Sequence, residues 1–398
     1  MKKAMPILFT IGLILFIIVM ANINDLSLEN KNNNLFEVKA VVLKTDDSEM
    51  VQSGIAKIGF QSLIVEIKNG KYKGKKLEAV NQLVGKLDFD NYYKVGDKII
   101  VGILEEDGKI KGVKAIDIYR QNWQLLLFAV FVLCLILYAR FTGLKALFSF
   151  MASLFIIWKI LIPALLKGKE PLLVSSMVLT LLTAIIIFSV AGFTKKGIAA
   201  FVGTMCGLFV TIGITIFFGN KLALHGMTSP FAETLVFSGH LDLNMKHIFY
   251  AAIIIGASGA AMDIAMDVAA SIEEIKIKKP DIQTKELIQS GFNIGRAVIG
   301  TMTTTLLLAY SGGYLTLLML FMTKNSSFIR IINLKIVSAE IMRTLVGSIG
   351  LVLVAPITAV VAGWIFTIEF EKTFKDKKRE QEDILLEKSE IMTDLDKK

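Results

Sequence analysis

Cysteine is almost absent from this 398-residue chain, and the only two, Cys134 and Cys206, both lie inside apolar stretches. A disulfide framework and a zinc cage are thereby excluded. Histidine is nearly as scarce: His225, His240 and His247 all fall within 219–247. Glu233 and Asp242 are nearby in sequence, but no HExxH or similarly tight spacing marks a metal site. The six prolines and the lack of any low-complexity tract argue against long disordered linkers. No Walker A motif occurs around Lys195, Lys221 or elsewhere, so ATP hydrolysis is not expected. No Ser or Cys nucleophile with a paired base is visible either, and neither an enzyme activity nor a cofactor is expected. Charge is sparse as well, at 20% of residues against about 25% in an average soluble domain.

What the chain has instead is apolar residue, 54% of the total. It comes in blocks of roughly 20, the length that crosses a bilayer as a helix. Eight such blocks run over 6–23, 122–140, 144–165, 171–193, 197–218, 247–271, 294–322 and 336–368. The net charge of +9 gathers beside their ends rather than in a nucleic-acid-binding patch. With the N-terminus inside, the inner turns hold Lys2, Lys3, Arg140, Lys145, Lys195, Lys196, Lys276, Lys278, Lys279, Lys285 and Arg296. The outer loops hold only Lys167, Lys169, Lys221, Lys246, Lys324, Arg330 and Lys335. The positive-inside rule then places both termini in the cytoplasm and residues 24–121 outside the cell. The first block has the basic start of a signal peptide. Its small-x-small cleavage pattern is poor, which favours a retained anchor over 1–23.

Residues 35–120 differ in pattern. Runs starting at Leu35, Gln61, Lys75, Lys98 and Lys109 alternate apolar and polar residues, the period of half-buried strands. Asn69-Gly70, Lys73-Gly74, Gly96-Asp97 and Asp107-Gly108 are turn signals between them. Five short strands fit a small closed barrel of the OB type, which leaves no exposed edge; an open antiparallel sheet is the other arrangement the pattern allows. The segment has no arginine before Arg120 and few aromatics, so a nucleic-acid role is not expected. The expected architecture is therefore a polytopic α-helical membrane bundle of about eight transmembrane helices, counting the N-terminal anchor, with an extracytoplasmic all-β, OB-like barrel. Seven of the helices occupy 122–370, and a charged tail over 371–398, basic first and acidic afterwards, follows them. Ile384, Leu385, Ile391 and Leu395 could give this tail a short amphipathic helix, and an unordered tail is equally compatible.

Three places within the apolar blocks carry polar chemistry. Asp263 and Asp267, four residues apart, share one helix face inside the block that ends near Ser271. A charge at the centre of a membrane helix costs about 2.5–3.5 kcal/mol on the insertion scale, so such residues face a bundle interior or water. Asn293, Arg296, Gly300 and Thr304 align on one face of the next block, with Arg296 at a depth similar to that of Asp267. An ion pair between these aspartates and Arg296 is expected, as a structural clamp or as a transport site. Ser311-Gly312-Gly313 could break that same block, as helices break at the binding sites of many transporters. Glu340 and Arg343 can pair at i, i+3, and Pro356 is expected to kink their span without ending it.

The blocks GASGAAMDIAMDVAASIEEI (256–275), GFNIGRAVIGTMTTTLLLAYSGG (291–313) and EIMRTLVGSIGLVLVAPITA (340–359), in that order, resemble the core of the YibE/F family of bacterial membrane proteins. The resemblance covers roughly 125–370, with the outer β-domain as the usual N-terminal extension. It implies a multi-pass protein of the bacterial plasma membrane and no settled substrate or reaction. Two function classes stay open. One is a secondary transporter or permease for a small solute or ion, acting through Asp263, Asp267, Arg296, Asn293 and Thr304, with Glu340 and Arg343 as a secondary polar pair. The other is a non-transporting envelope scaffold or signalling protein whose outer β-domain binds a partner. Membrane lipids surround either one, and a second copy of the chain or an envelope protein is the partner class the pattern allows.

Overall fold

A computed structural model describes residues 35–395 apart from Asp107 and Lys324–Ser326, with side chains through Thr367. The apolar block over 6–23 lies outside these residues. The chain divides into two compact units, Met1–Tyr138 and Ala139–Lys398.

Among the described residues of the first unit are six strands: β1 (Leu35–Asp46), β2 (Met50–Ser53), β3 (Ala56–Ile67), β4 (Lys76–Val84), β5 (Lys98–Glu106) and β6 (Lys109–Ile118). Period-two alternation turns Val38, Ala40 and Val42 of β1 inward, and likewise Leu63, Val65 and Ile67 of β3. They meet Ala79, Ile99, Val101, Ile103, Val113 and Ala115 in one core. β1 pairs antiparallel with β5 along its first half and with β3 along its second, and Ala40 faces both Ile99 and Ile67. A bulge between Val42 and Lys44 bends β1 between these partners. The ring β1-β3-β4-β6-β5 thereby closes into a five-stranded barrel, with β4 and β6 parallel where they meet at Val80 and Lys114. The expected turn glycines Gly70, Gly74 and Gly96 all have positive φ. β2 is an addition that sequence patterning did not disclose. It pairs only with the start of β3, from Met50 opposite Gly59 to Ser53 opposite Ala56.

Helices follow from Gln121. They are α1 (Gln121–Ile156), α2 (Ile162–Leu166), α3 (Pro171–Ala191), α4 (Lys195–Lys221), α5 (Ala232–Phe237), α6 (Met245–Lys278), α7 (Thr284–Gly313), α8 (Leu315–Thr323), α9 (Phe328–Ile332) and α10 (Lys335–Leu395). Among the described residues, five helical runs are long and apolar enough to cross a membrane, and six when α7 and α8 count as one bent span. The sequence divides 122–165 into two blocks. Here the backbone runs from Gln121 to Leu166, interrupted at Arg140, whose φ of 48° and ψ of −122° are not helical, and passing through a π-helical turn at Ile157–Leu161. That turn precedes Pro163, which has no N–H to offer an α-helical bond. Thr194 caps α4 by accepting from the Gly197 N–H, and Asn244 caps α6 by accepting from that of His247. α10 continues through Pro356, as expected.

The core of this second unit lies where α4, α6 and α10 meet, and much of it is alanine: Ala199, Ala200, Ala261, Ala265, Ala269, Ala355, Ala359 and Ala362. Small residues let membrane helices approach closely when hydrophobic burial does not drive them together. Glycine goes further between α4 and α10. A Cβ on Gly203 would overlap the side chain and backbone of Thr358, and one on Gly350 would overlap Thr211. Gly203→Leu is accordingly expected to cost at least the roughly 1–3 kcal/mol typical of overpacking. Thermal unfolding of the purified protein in lipid nanodiscs would measure it. An unchanged midpoint would mean that the two helices can part there without penalty.

Candidate functional site

α6 buries Ile253, Ile254, Ala257, Ala261, Ile264, Ala265, Val268, Ala269 and Ile272, which face the neighbouring helices. What remains is a strip on which Gly259, Asp263 and Asp267 are all exposed. At the C-terminal end of α6, Glu273 pairs with Lys196 of α4 at 2.9 Å and Glu274 with Lys278 at 3.2 Å. The buried Lys276 ammonium donates to the Pro280 carbonyl at 2.6 Å, closing the turn into α7. Basic residues thus fasten this end of the bundle from both sides.

α7 runs back antiparallel to α6. A Cβ on Gly295 would touch Val268 and Ala355, and one on Gly291 would meet Ile272 and Ala359, so α7 seats itself on α6 and α10 through its glycines. This packing puts Arg296 at the level of Asp267, as the sequence expects. The azimuth differs from that expectation, however. Arg296 leans over a groove of about 310 Å³ that it shares with Phe292, Ile299, Val352 and Pro356, on the α10 side. Its guanidinium donates to Asn293 Oδ1 at 3.3 Å. Among the described residues no ion pair joins Asp263 or Asp267 to Arg296 within this chain, because α7 turns its cation away from the aspartate strip. Thr304 donates its hydroxyl to the Thr301 carbonyl at 2.8 Å, and Thr301, Thr303 and Thr305 also bond carbonyls of their own helix. Asn293, Arg296, Gly300 and Thr304 are all exposed.

The third place is the one the fold assembles most completely. α7 ends at Gly313, and α8 leaves at an angle of 67° after Tyr314. The break that Ser311-Gly312-Gly313 suggests is therefore present. Beside it, α10 presents Glu340 and Arg343, paired at 3.7 Å with side chains only 16% and 18% exposed. They are not the snorkelling surface pair that their position near a helix end also allows. The guanidinium stands 5.6 Å from the centre of the Phe249 ring and donates to Tyr314 Oη at 3.5 Å. Among the described residues, Glu340 Oε2 and Arg343 Nε are buried with no hydrogen-bond partner. A cavity of about 240 Å³ opens here, lined by Tyr310, Ser311, Tyr314, Phe321, Glu340 and Thr344 together with aliphatic residues. Phe249, Tyr310 and Tyr314 are members of this site that sequence patterning missed. The only signal for the tyrosines is their position around the glycine break.

Of the three histidines, His247 meets Glu170 at 2.6 Å, joining the starts of α3 and α6. Among the described residues, no three His, Cys, Asp or Glu side chains come together as a metal site would require.

The barrel has a cleft of its own, about 640 Å³, lined by Leu35, Phe36, Gly70, Lys71, Tyr72 and Glu105. Lys71 donates to one Glu105 oxygen at 2.7 Å and Tyr72 to the other at 2.8 Å. These two bonds, Lys71 first, hold the Glu105 carboxyl below its ordinary value of 4.5. A depressed carboxyl stabilises the fold above the unfolded value, and that stabilisation is lost as pH falls through the folded one. Urea midpoints of the barrel should accordingly drop as pH falls below the ordinary carboxyl value of 4.5, and Glu105→Gln should flatten that acid limb. An equal drop in both proteins would show that other carboxylates carry it.

Residues 127–368 match the family model described as YibE/F-like protein, and residues 31–118 match the model of the YibE/F family N-terminal domain. No curated protein and no solved structure matches the chain.

Proposed function

The chain belongs to the YibE/F family, and from that premise we propose that its membrane unit is a secondary transporter for a small solute or ion, coupled through intramembrane carboxylates. The observation that carries this reading is the bend at Tyr314. There a span turns by 67° beside a cavity of about 240 Å³ whose wall holds Glu340 and Arg343. Broken spans free backbone groups and side chains to hold a substrate where a continuous helix would offer only apolar surface. The pair at 3.7 Å is close enough to neutralise itself and loose enough to reopen, since among the described residues Glu340 and Arg343 each keep a polar atom unbonded. Glu340 takes the coupling role, alternating between Arg343 and a proton or cation, while the aromatic and aliphatic lining accepts the apolar part of a solute. The setting that goes with this role is the bacterial plasma membrane, with eight spans, both termini cytoplasmic and the barrel, of OB type, outside.

The test needs no substrate. The purified chain in proteoliposomes should dissipate an imposed proton or sodium gradient, and Glu340→Gln should reduce that flux at least tenfold with the fold retained. Flux equal in wild type and variant would remove Glu340 from the pathway. Absence of any flux from correctly inserted protein would overturn the transporter reading. It would favour an envelope scaffold or signalling protein whose outer barrel holds its partner, for which the cleft at Lys71, Tyr72 and Glu105 offers a place.

A further inference from the structure

We infer that the aspartate strip of α6 and the polar face of α7 together form the surface on which a second copy of this chain packs, about a two-fold axis along the membrane normal. α6 is long and apolar enough to cross a membrane and is surrounded on its other faces by its own chain. On the face left open, Asp263 and Asp267 are exposed. Aspartate is too short to lift its carboxylate to the interface from within a span, so lipid cannot be its neighbour there. α7 leaves open a face of the opposite kind, with the Arg296 guanidinium and the Asn293 amide exposed.

Each chain therefore carries both halves of a charge match that it does not close among its described residues. The levels settle which partner can close it. The packing of Gly295 on Val268 and of Gly291 on Ile272 sets Arg296 level with Asp267. A two-fold axis along the membrane normal moves a residue around the axis without changing its depth. The level match inside one chain is thus also the level match between Asp267 of one copy and Arg296 of the next. An unrelated partner would have to supply both charges at these depths by coincidence. Room for close approach is present on both faces. Among the described residues, nothing lies within 4 Å of where a Cβ would stand on Gly259 of α6 or Gly300 of α7. Such bare positions let helix backbones of two chains come together in a membrane.

Cross-linking in native membranes tests this on the full chain. Cys134 and Cys206 would first be replaced by Ala. Two differently tagged copies would then be expressed together, one carrying Asp267→Cys and the other Arg296→Cys. Mild oxidation should yield a disulfide-linked species of twice the chain mass that bears both tags. A second arm uses charge. Asp267→Arg should shift the protein extracted in native nanodiscs from dimer to monomer, and adding Arg296→Asp in the same chain should return the dimer. Three outcomes would overturn the inference. One is an unmodified chain that is monomeric in nanodiscs. Another is a failure to cross-link when both cysteines react freely with a maleimide. The third is a cross-link that forms only to a different protein, which would assign the strip to another partner. Because cysteine replaces each charge without adding one, the first arm stays decisive if the charge reversal does not fold.

Discussion

Arg343→Leu is expected to destabilise the membrane unit by about 3–5 kcal/mol, the cost of leaving a buried charge without its partner. Glu340 would then stand without Arg343 in a wall of mostly apolar side chains, with only the hydroxyls of Tyr310, Ser311, Tyr314 and Thr344 among its polar lining. The Phe249 ring would lose the cation stacked on it as well. The double variant Glu340→Leu with Arg343→Leu should recover most of that loss, because apolar side chains of similar volume can replace an ion pair with little or no penalty. Denaturant unfolding of the purified protein in mixed micelles would give both numbers. Recovery of stability separates two roles for the pair. If Glu340 and Arg343 only clamp α10 to the bend, the double variant should keep whatever flux the wild type supports. If Glu340 carries a proton or cation, stability should return while flux stays lost, and that is the expected result. Additive, independent losses from the two single changes would show that the pair at 3.7 Å is not a functional unit.

The elements legible in the sequence are those whose pattern is set within a single segment. Apolar blocks disclose spans because each block meets the bilayer length by itself. β1, β3, β4, β5 and β6 disclose themselves because each has residues that alternate between core and surface. β2 does not, since Met50–Ser53 has no fully buried residue to fix a period. The candidate sites divide along the same line. Spacing along one helix gives the Glu340–Arg343 pair and the shared face of Asp263 and Asp267. Chain direction and loop length give the common level of Asp267 and Arg296. The azimuth of α7 is invisible to this reasoning, because Gly291 and Gly295 set it by their fit against Ile272, Val268, Ala355 and Ala359 on two other helices. Burial of the Glu340–Arg343 pair is equally non-local. Phe249 of α6 and Tyr314 after α7 supply it, and nothing near residue 340 announces them.

A comparable loss is expected in the barrel from Gln61→Leu. Gln61 is a 2% exposed amide at a core made mostly of Val, Ile, Leu and Ala, with Tyr72 and Tyr93. Its amide nitrogen donates to Asp47 Oδ1 and to the Tyr93 carbonyl, each at 2.9 Å. Its oxygen accepts from the Asn81 amide and from the Tyr93 backbone N–H, each at 3.1 Å. Asn81 donates onward to the Asn91 carbonyl at 2.7 Å, and Asn91 donates to Asp117 at 3.0 Å. Through this network the connection between β4 and β5 is tied to β3, β4 and β6, and Tyr93 is drawn into the core. Leucine fits the volume but strands the Tyr93 N–H and carbonyl away from water. Each stranded group costs about 1–3 kcal/mol, so a loss of about 2–6 kcal/mol is expected. Residues 30–120 contain the closed ring and its complete core, and this fragment should fold alone as a soluble, β-rich domain. Urea titration of the fragment, followed by circular dichroism, would give the difference directly. A Gln61→Leu fragment as stable as the wild type would show that the β4–β5 connection holds its place by apolar packing of Tyr93 alone, and that the buried amides are incidental to it.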